Sequence, residues 1–267
     1  MNFELSEEQK MIQQSVERFV QEHYDLPKRV ELSSQDPGYS KDYWNSMAEL
    51  GWLGLPFNEE DGGFGGNQID TLVIMEQFGK GLVLEPFLAN IVLGGGAIQM
   101  GGSEELKNEM LSSLIEGSKQ LALAYAEQQS RFDLEDVATS ARQEGDKYII
   151  NGQKSMVLNA ESADHIVVVA RTNGGQVDEE GITLFLVDSN SKGLERNNFP
   201  TVDGLRASEI TFNNVEVNSE RMIGDLDKGF IILRAITNNA ILALCAEAVG
   251  AMEVLYKDTV EYTQQRE

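Results

Sequence analysis

The sequence predicts an α+β fold: an N-terminal all-α domain, a middle antiparallel β-sandwich or barrel domain, and the start of a C-terminal helical bundle. Three observations carry this. Apolar residues recur at helical spacing up to about Gly117. Short apolar runs bounded by turn residues then replace that spacing from Leu121 to Val217. After Gly229 the helical period returns and meets no proline before the last residue. The expected domains are 1–118, 119–224 and 225–267.

In the first domain, Ser6-Glu7-Glu8-Gln9 reads as a capping box, and Ile12, Val16, Phe19 and Val20 line one face of the helix it opens. Tyr43, Met47 and Leu50 mark a second short helix stopped by Gly51, with Gly54 and Pro56 in the loop beyond. Asp61-Gly62-Gly63-Phe64-Gly65-Gly66 is glycine-rich, but it follows no strand and has neither Lys-Ser/Thr nor the dinucleotide spacing. A tight structural loop is expected there. Asp70 is placed to cap the next helix, which carries Leu72, Met75, Glu76 and Gly79. Ser103 caps another, with Leu106, Met110 and Leu114 on its buried stripe.

In the middle domain, Lys147–Ile150 and Gln153–Leu158 flank Asn151-Gly152, the pair that favours a type I′ hairpin because both residues tolerate positive φ. His165–Ala170 and Ile182–Val187 read as strands separated by the Asn173-Gly174-Gly175 turn region, and Ala207–Phe212 and Val215–Val217 as two more. Ile232, Ile236, Ala240, Ala243, Val249, Met252, Tyr256 and Tyr262 then place one long helix at the end. It reaches Gln265-Arg266-Glu267 without a stop signal, so a chain truncated at its C-terminus is expected.

Charge and composition exclude several functions. A net charge of -23, from 44 acidic against 21 basic residues, argues against a surface that tracks nucleic-acid phosphates or an anionic membrane. One cysteine, Cys245, sits in an apolar run; it allows no intramolecular disulfide and is expected to be an inert core thiol. The start Met1-Asn2-Phe3-Glu4 lacks the basic and apolar regions of a secretory signal, and the apolar stretch Ile91–Ile98 is too short to span a bilayer. A reducing cytoplasm fits these features. His23 and His165 have no cysteine or second histidine nearby, so no metal site is expected, and no Ser-His-Asp or Cys-His arrangement is suggested.

The domain order, together with a series of phrases along the chain, resembles the acyl-CoA dehydrogenase family. Phe3, Leu5-Ser6-Glu7-Glu8-Gln9 and Phe19 look like its opening helix. Leu50–Pro56, Glu59–Gly65 and Glu76-Gln77-Phe78-Gly79 follow in its order. Asp146–Lys154 is similar to its middle-domain hairpin, Gly204–Glu209 to a later strand, and Ile223-Gly224 and Gly229-Phe230 to the entry to its last helical domain. Leu121–Phe132 and Thr201–Gly204 look particularly like the small subunit of pimeloyl-CoA dehydrogenase-type pairs.

The resemblance implies an FAD-dependent enzyme that introduces an α,β double bond into a medium or dicarboxylic acyl-CoA. A carboxylate takes the α proton while hydride leaves the β carbon for the flavin, and hydrogen bonds to the thioester carbonyl stabilise the developing enolate. Electron-transfer flavoprotein or a similar acceptor is the implied redox partner, and a homo- or hetero-oligomer with another acyl-CoA dehydrogenase subunit the implied assembly. The alternatives are a non-catalytic structural subunit of such a heteromer and an acyl-CoA oxidase-like flavoenzyme.

Residue by residue, the family's flavin-contacting segment falls on Tyr125, Ala126 and Glu127, then on Ser130, Arg131 and Phe132. Ala126 takes a threonine place and cannot donate from its side chain. Arg131 replaces a glycine, and reads either as a phosphate-binding cation or as a solvated loop arginine. The second segment falls on Met156, Val157 and Leu158, where relatives often carry a tryptophan and a threonine; core residues of a plain strand explain these three equally well. Arg266, after Tyr262, matches an arginine that in relatives reaches the FAD pyrophosphate of a neighbouring subunit. Arg206 and Ser208 match family positions but suit structural contacts as well, and Ile241 stands where many relatives have an arginine. The catalytic base stays unknown.

Overall fold

The computed structural model describes residues 4–266; Met1, Asn2, Phe3 and Glu267, used above at the two ends, lie outside them. The opening helix α1 (Glu7–His23) begins with the expected reciprocal cap: Gln9 N donates to Ser6 Oγ at 3.1 Å and Ser6 N to Gln9 Oε1 at 3.0 Å. Val16, Phe19 and Val20 are its buried face. Two short helices follow, α2 (Leu26–Ser34), which the sequence reading omitted, and α3 (Lys41–Glu49). The helix α4 (Gln68–Gly81) is capped by Asn67, not by Asp70. Asp70 is the third helical residue of that box, and its carboxylate accepts from Asn67 N at 2.6 Å, because the reciprocal geometry places the acid three residues inside.

The apolar run near Ile91 winds as a wide π-type helix, Leu88–Gly95, continued by α5 (Gly96–Gly101); α6 (Glu104–Ile115) follows with Ser103 at its cap. The glycine loop at Asp61–Gly66 is structural: a Cβ on Gly63 would lie 2.2 Å from Phe57 O and one on Gly66 2.5 Å from Leu55 O.

The middle of the chain forms one sheet of eight strands: β1 (Leu121–Ala124), β2 (Ser140–Glu144), β3 (Lys147–Leu158), β4 (His165–Arg171), β5 (Ile182–Asp188), β6 (Leu194–Pro200), β7 (Arg206–Asn218) and β8 (Met222–Ile223). Their order is β6-β7-β3-β2-β4-β5-β8, with β1 alongside β4 in parallel. The path does not close, which corrects the barrel limb of the expectation. It does fold over itself. Tyr148 of β3 and Phe185 of β5 have two strands between them in the order, yet their ring centroids are 4.8 Å apart, far less than the roughly 14 Å three flat strand spacings would leave. Strand alternation thus buries both faces: Val167 and Val169 pack toward the helices, and Ile166, Val168 and Ala170 into the fold of the sheet.

Asn151-Gly152 is not a hairpin turn. β3 runs straight through it, and the chain reverses at Gly145-Asp146, since Glu144 pairs with Lys147 and Gly145 has φ +66°. Gly152 serves close approach instead: a Cβ there would lie 2.6 Å from Thr139 Cα, and the pairing with β7 slips between Ile150 and Gly152. Asn151 exchanges hydrogen bonds with Asn214, whose own positive φ marks the matching irregularity in β7. The two short strands expected at 207–217 are therefore one.

The last helix, α7 (Gly229–Gln265), crosses α4 with its backbone almost touching. A Cβ on Gly79 would lie 1.9 Å from Glu247 O, and one on Gly250 1.8 Å from Glu76 O. By length and composition α7 could also cross a membrane, which a search for unbroken apolar runs overlooked; its Phe230, Leu233, Ile236 and Ala243 are buried in the main core instead. Cys245 lies on its exposed side, beside exposed Leu242 and Leu244, and is not a core thiol, because the buried stripe of α7 passes through Ala240, Ala243 and Gly250.

Candidate functional site

The two expected flavin segments are neighbours. The loop that leaves β1 at Tyr125 lies against the end of β3: Ser155 N donates to Ala126 O at 2.9 Å, and Lys154 Nζ to Tyr125 O at 3.1 Å. Glu127 turns its carboxylate inward. Oε1 accepts from Lys154 Nζ at 2.7 Å and Thr139 N at 3.0 Å, while Oε2 accepts from Ala138 N and Gln129 Nε2. Lys154 is fully buried. Burial pushes the Glu127 carboxyl up, but the charge and hydrogen bond of Lys154, followed by those of Gln129 and Thr139, outweigh it and hold the group at about 2. Ser130 closes the turn by accepting from Glu127 N and donating to Glu127 O. Glu127 and Ser130 thus shape the loop, which leaves Tyr125 and Ala126 half-buried and Arg131 and Phe132 exposed.

Two residues with positive φ bend this region, Arg131 at +50° and Met156 at +53°. A bulky residue in that conformation costs about 1 kcal/mol or more and persists only where its surroundings impose it. At Met156 the cause is a bulge, since pairing with β7 slips between Lys154 and Val157. The bulge turns Met156 out, half exposed, with Val157 buried in the sheet core and Leu158 half-buried. The FAD implied by the resemblance would need a flat apolar shelf, which the bent backbone edge with Met156 exposed could offer. Its donors would come from the main chain, because Ala126 and Leu158 carry no hydroxyl. Arg266 stands apart from the shelf, exposed at the end of α7, where its guanidinium contacts the Tyr262 hydroxyl and ring.

Leu158 joins the shelf to a cavity of about 190 Å³. Its walls come from α4 (Met75, Phe78), the turn after it (Leu84, Glu85, Phe87), the loop before β7 (Asp203, Leu205) with Arg206, and α7 (Leu244, Glu247). Glu85 is 5% exposed, takes a hydrogen bond from the Tyr24 hydroxyl, and accepts from Ser40 N at 3.1 Å. Burial pushes its carboxyl up to about 7 despite those donors. Glu247 is also pushed up, by burial first and then by the charge of Asp203. Arg206 spends Nη2 on the carbonyls of Ser33 and Gln35, which makes it the structural contact the sequence allowed, and its buried Nε has no hydrogen-bond partner among the described residues. Ser208 likewise donates within the sheet, to Asn198 Oδ1. Sequence reasoning missed Glu85; the available signal was a lone acid inside the otherwise apolar run Leu82–Leu88.

Residues 6–118 match the profile described as "Acyl-CoA dehydrogenase, N-terminal domain" and residues 122–215 the one described as "Acyl-CoA dehydrogenase, middle domain". The chain is 30% identical over 270 residues to the 3-(aryl)acrylate reductase of Clostridium sporogenes, covering 98% of the chain and 70% of that protein. It is 29% identical to the short-chain specific acyl-CoA dehydrogenase of Clostridium acetobutylicum, covering 71% of it. Among solved structures, one described as an FAD-dependent dehydrogenase superposes over the whole chain, and over 70% of its own, with a TM-score of 0.87 at 30% identity.

Proposed function

We propose, from the premise that this chain belongs to the acyl-CoA dehydrogenase family of FAD-dependent oxidoreductases acting on CH–CH bonds, that it is a subunit which desaturates an acyl-CoA thioester at its α,β bond. One observation carries this reading: Leu158 belongs both to the shelf and to the wall of the cavity, so ring and acyl chain would meet at one residue. Tyr125, Ala126, Arg131, Phe132, Met156 and Leu158 would hold FAD, which when bound supplies the two-electron acceptor. Glu127, Ser130 and Val157 hold that surface in shape. Met75, Phe78, Leu84 and Leu244 would orient the acyl chain and exclude water from it.

The assembly we infer is a heteromer with a second acyl-CoA dehydrogenase subunit, of the kind the pimeloyl-CoA dehydrogenase-type small subunit resembles, with electron-transfer flavoprotein as acceptor, in the cytoplasm. Arg266 would then serve across the subunit interface. We place the domain divisions at 118/119 and 224/225; the cavity would then be lined from all three parts, by Met75 and Phe78 of the first, Asp203, Leu205 and Arg206 of the second and Leu244 and Glu247 of the third.

Anaerobic mixing of the flavin-loaded protein, with its partner subunit, and a saturated acyl-CoA is expected to bleach the yellow flavin band and yield the enoyl-CoA. Tight acyl-CoA binding with the band unchanged would remove the reading. A second reading, a structural subunit without flavin, draws on the missing hydroxyls at Ala126 and Leu158. Flavin content of the isolated chain against the complex separates the two, and peroxide release during turnover would mark an oxidase.

A further inference from the structure

We propose that the inner wall of this cavity selects acyl chains whose far end donates a hydrogen bond, with Glu85 and Glu247 as the acceptors, and disfavours chains ending in a carboxylate. The proposal rests on the acyl-CoA reading above and narrows it.

Glu85 and Glu247 line the cavity from two different elements, the turn after α4 and the helix α7. Glu85 has one donor on each oxygen, the Tyr24 hydroxyl and Ser40 N, whereas a carboxylate offers roughly four acceptor sites. The Glu247 carboxylate takes no hydrogen bond and joins no ion pair among the described residues. The wall therefore holds spare acceptors on both elements.

Arg206 is the one cation in that wall, and it neutralises neither acid, since Nη2 is spent on the carbonyls of Ser33 and Gln35. Burial pushes both carboxyls upward, and for Glu247 the charge of Arg29 offsets this only in part. The remaining buried Nε of Arg206 is a donor without a partner.

A terminal hydroxyl answers this set, because it can donate to a glutamate and brings no charge of its own. A terminal methyl leaves those groups unsatisfied in an apolar cavity, which is costly. A terminal carboxylate adds a further acid to a wall that already carries Glu85, Glu247 and Asp203, in surroundings where like charges are poorly screened. Sites built on buried polar groups discriminate strongly against analogues that leave those groups unpaired.

Equilibrium binding of hexanoyl-CoA, its ω-hydroxy analogue and its ω-carboxy analogue to the flavin-loaded protein, followed by calorimetry, tests this. The ω-hydroxy chain should bind at least about tenfold tighter than the ω-carboxy chain, a difference of about 1.4 kcal/mol. Glu85→Gln and Glu247→Gln should each narrow that ratio. Equal binding of the two chains by the wild-type protein, or tighter binding of the ω-carboxy chain, overturns the proposal and leaves the acyl-CoA reading standing; binding of none of the three overturns both. An unchanged ratio in both variants also overturns it. Should Glu85→Gln fail to fold, Glu247→Gln and the wild-type series still decide.

Discussion

Lys154 Nζ sits 2.7 Å from Glu127 Oε1, with both side chains almost completely buried, and the pair clamps the loop that leaves β1 onto the end of β3. Glu127 adds the amides of Ala138 and Thr139 to the clamp. The shelf proposed to carry FAD is therefore held by a charge pair beneath it.

Removing one partner should strand the other in a dry site. Glu127→Gln or Lys154→Met is expected to cost about 3–5 kcal/mol, measured by chemical denaturation, and to lower FAD retention on gel filtration. The double variant Glu127→Leu/Lys154→Met should recover part of that loss, because two apolar groups leave no orphan charge. Single variants as stable as wild type would mean that the clamp contributes nothing.

Stability should peak in mildly acidic solution. Glu85 in the fold titrates at about 7 against an ordinary 4.5, so the folded state holds its proton more tightly than the unfolded chain does. Its contribution is present in full below 4.5 and is lost as pH rises to about 7, a change on the order of 3 kcal/mol. Glu127 acts in the opposite sense: its carboxyl is held at about 2, so its contribution is lost as pH falls from 4.5 toward that value. A thermal denaturation series across pH should fall from pH 5 to pH 8 in the wild type and flatten there in Glu85→Gln.

The crossing of α4 and α7 should tolerate no side chain. Gly79→Ala and Gly250→Ala each place a methyl inside the van der Waals radius of a helix carbonyl, and backbone cannot move aside as a rotamer can. Each is expected to cost about 3 kcal/mol or more and to disturb the cavity wall formed by Leu244 and Glu247. Wild-type melting temperatures in both variants would contradict the crossing.

Two glycines distinguish the observed strand from the hairpin that the sequence suggested. Gly145→Ala meets nothing within 4 Å and suffers only its positive φ, a cost of about 1 kcal/mol. Gly152→Ala would add a collision with Thr139 and should cost clearly more. Denaturation midpoints in the reverse order would move the turn back to Asn151-Gly152.

Restoring hydroxyls to the shelf should strengthen cofactor binding. Ala126→Thr and Leu158→Thr are each expected to tighten FAD binding about two- to tenfold, the effect of one added hydrogen bond, measured by flavin fluorescence on titration. No change in either variant would place the ring elsewhere.

The sequence by itself determined the parts whose stabilising contacts lie within a few residues: the Ser6–Gln9 capping box, the Ser103 cap, the long last helix and the β-rich middle of the chain. The phrase order also brought the two shelf segments to notice, but not that the Glu127 carboxylate faces Lys154. Tertiary structure decided what depends on partners remote in the chain. Asn151-Gly152 has the chemistry of a turn, and only the nearness of Thr139 and the pairing with β7 make it a strand. Cys245 has apolar neighbours in sequence, and only the direction of the α4 crossing leaves it exposed. Glu85 is one acid among 44, and only folding buries it beside Tyr24, from 61 residues away, where desolvation changes its proton affinity. Local hydrogen bonding and periodicity are written along the chain; burial and close approach arise between segments that the linear order keeps apart.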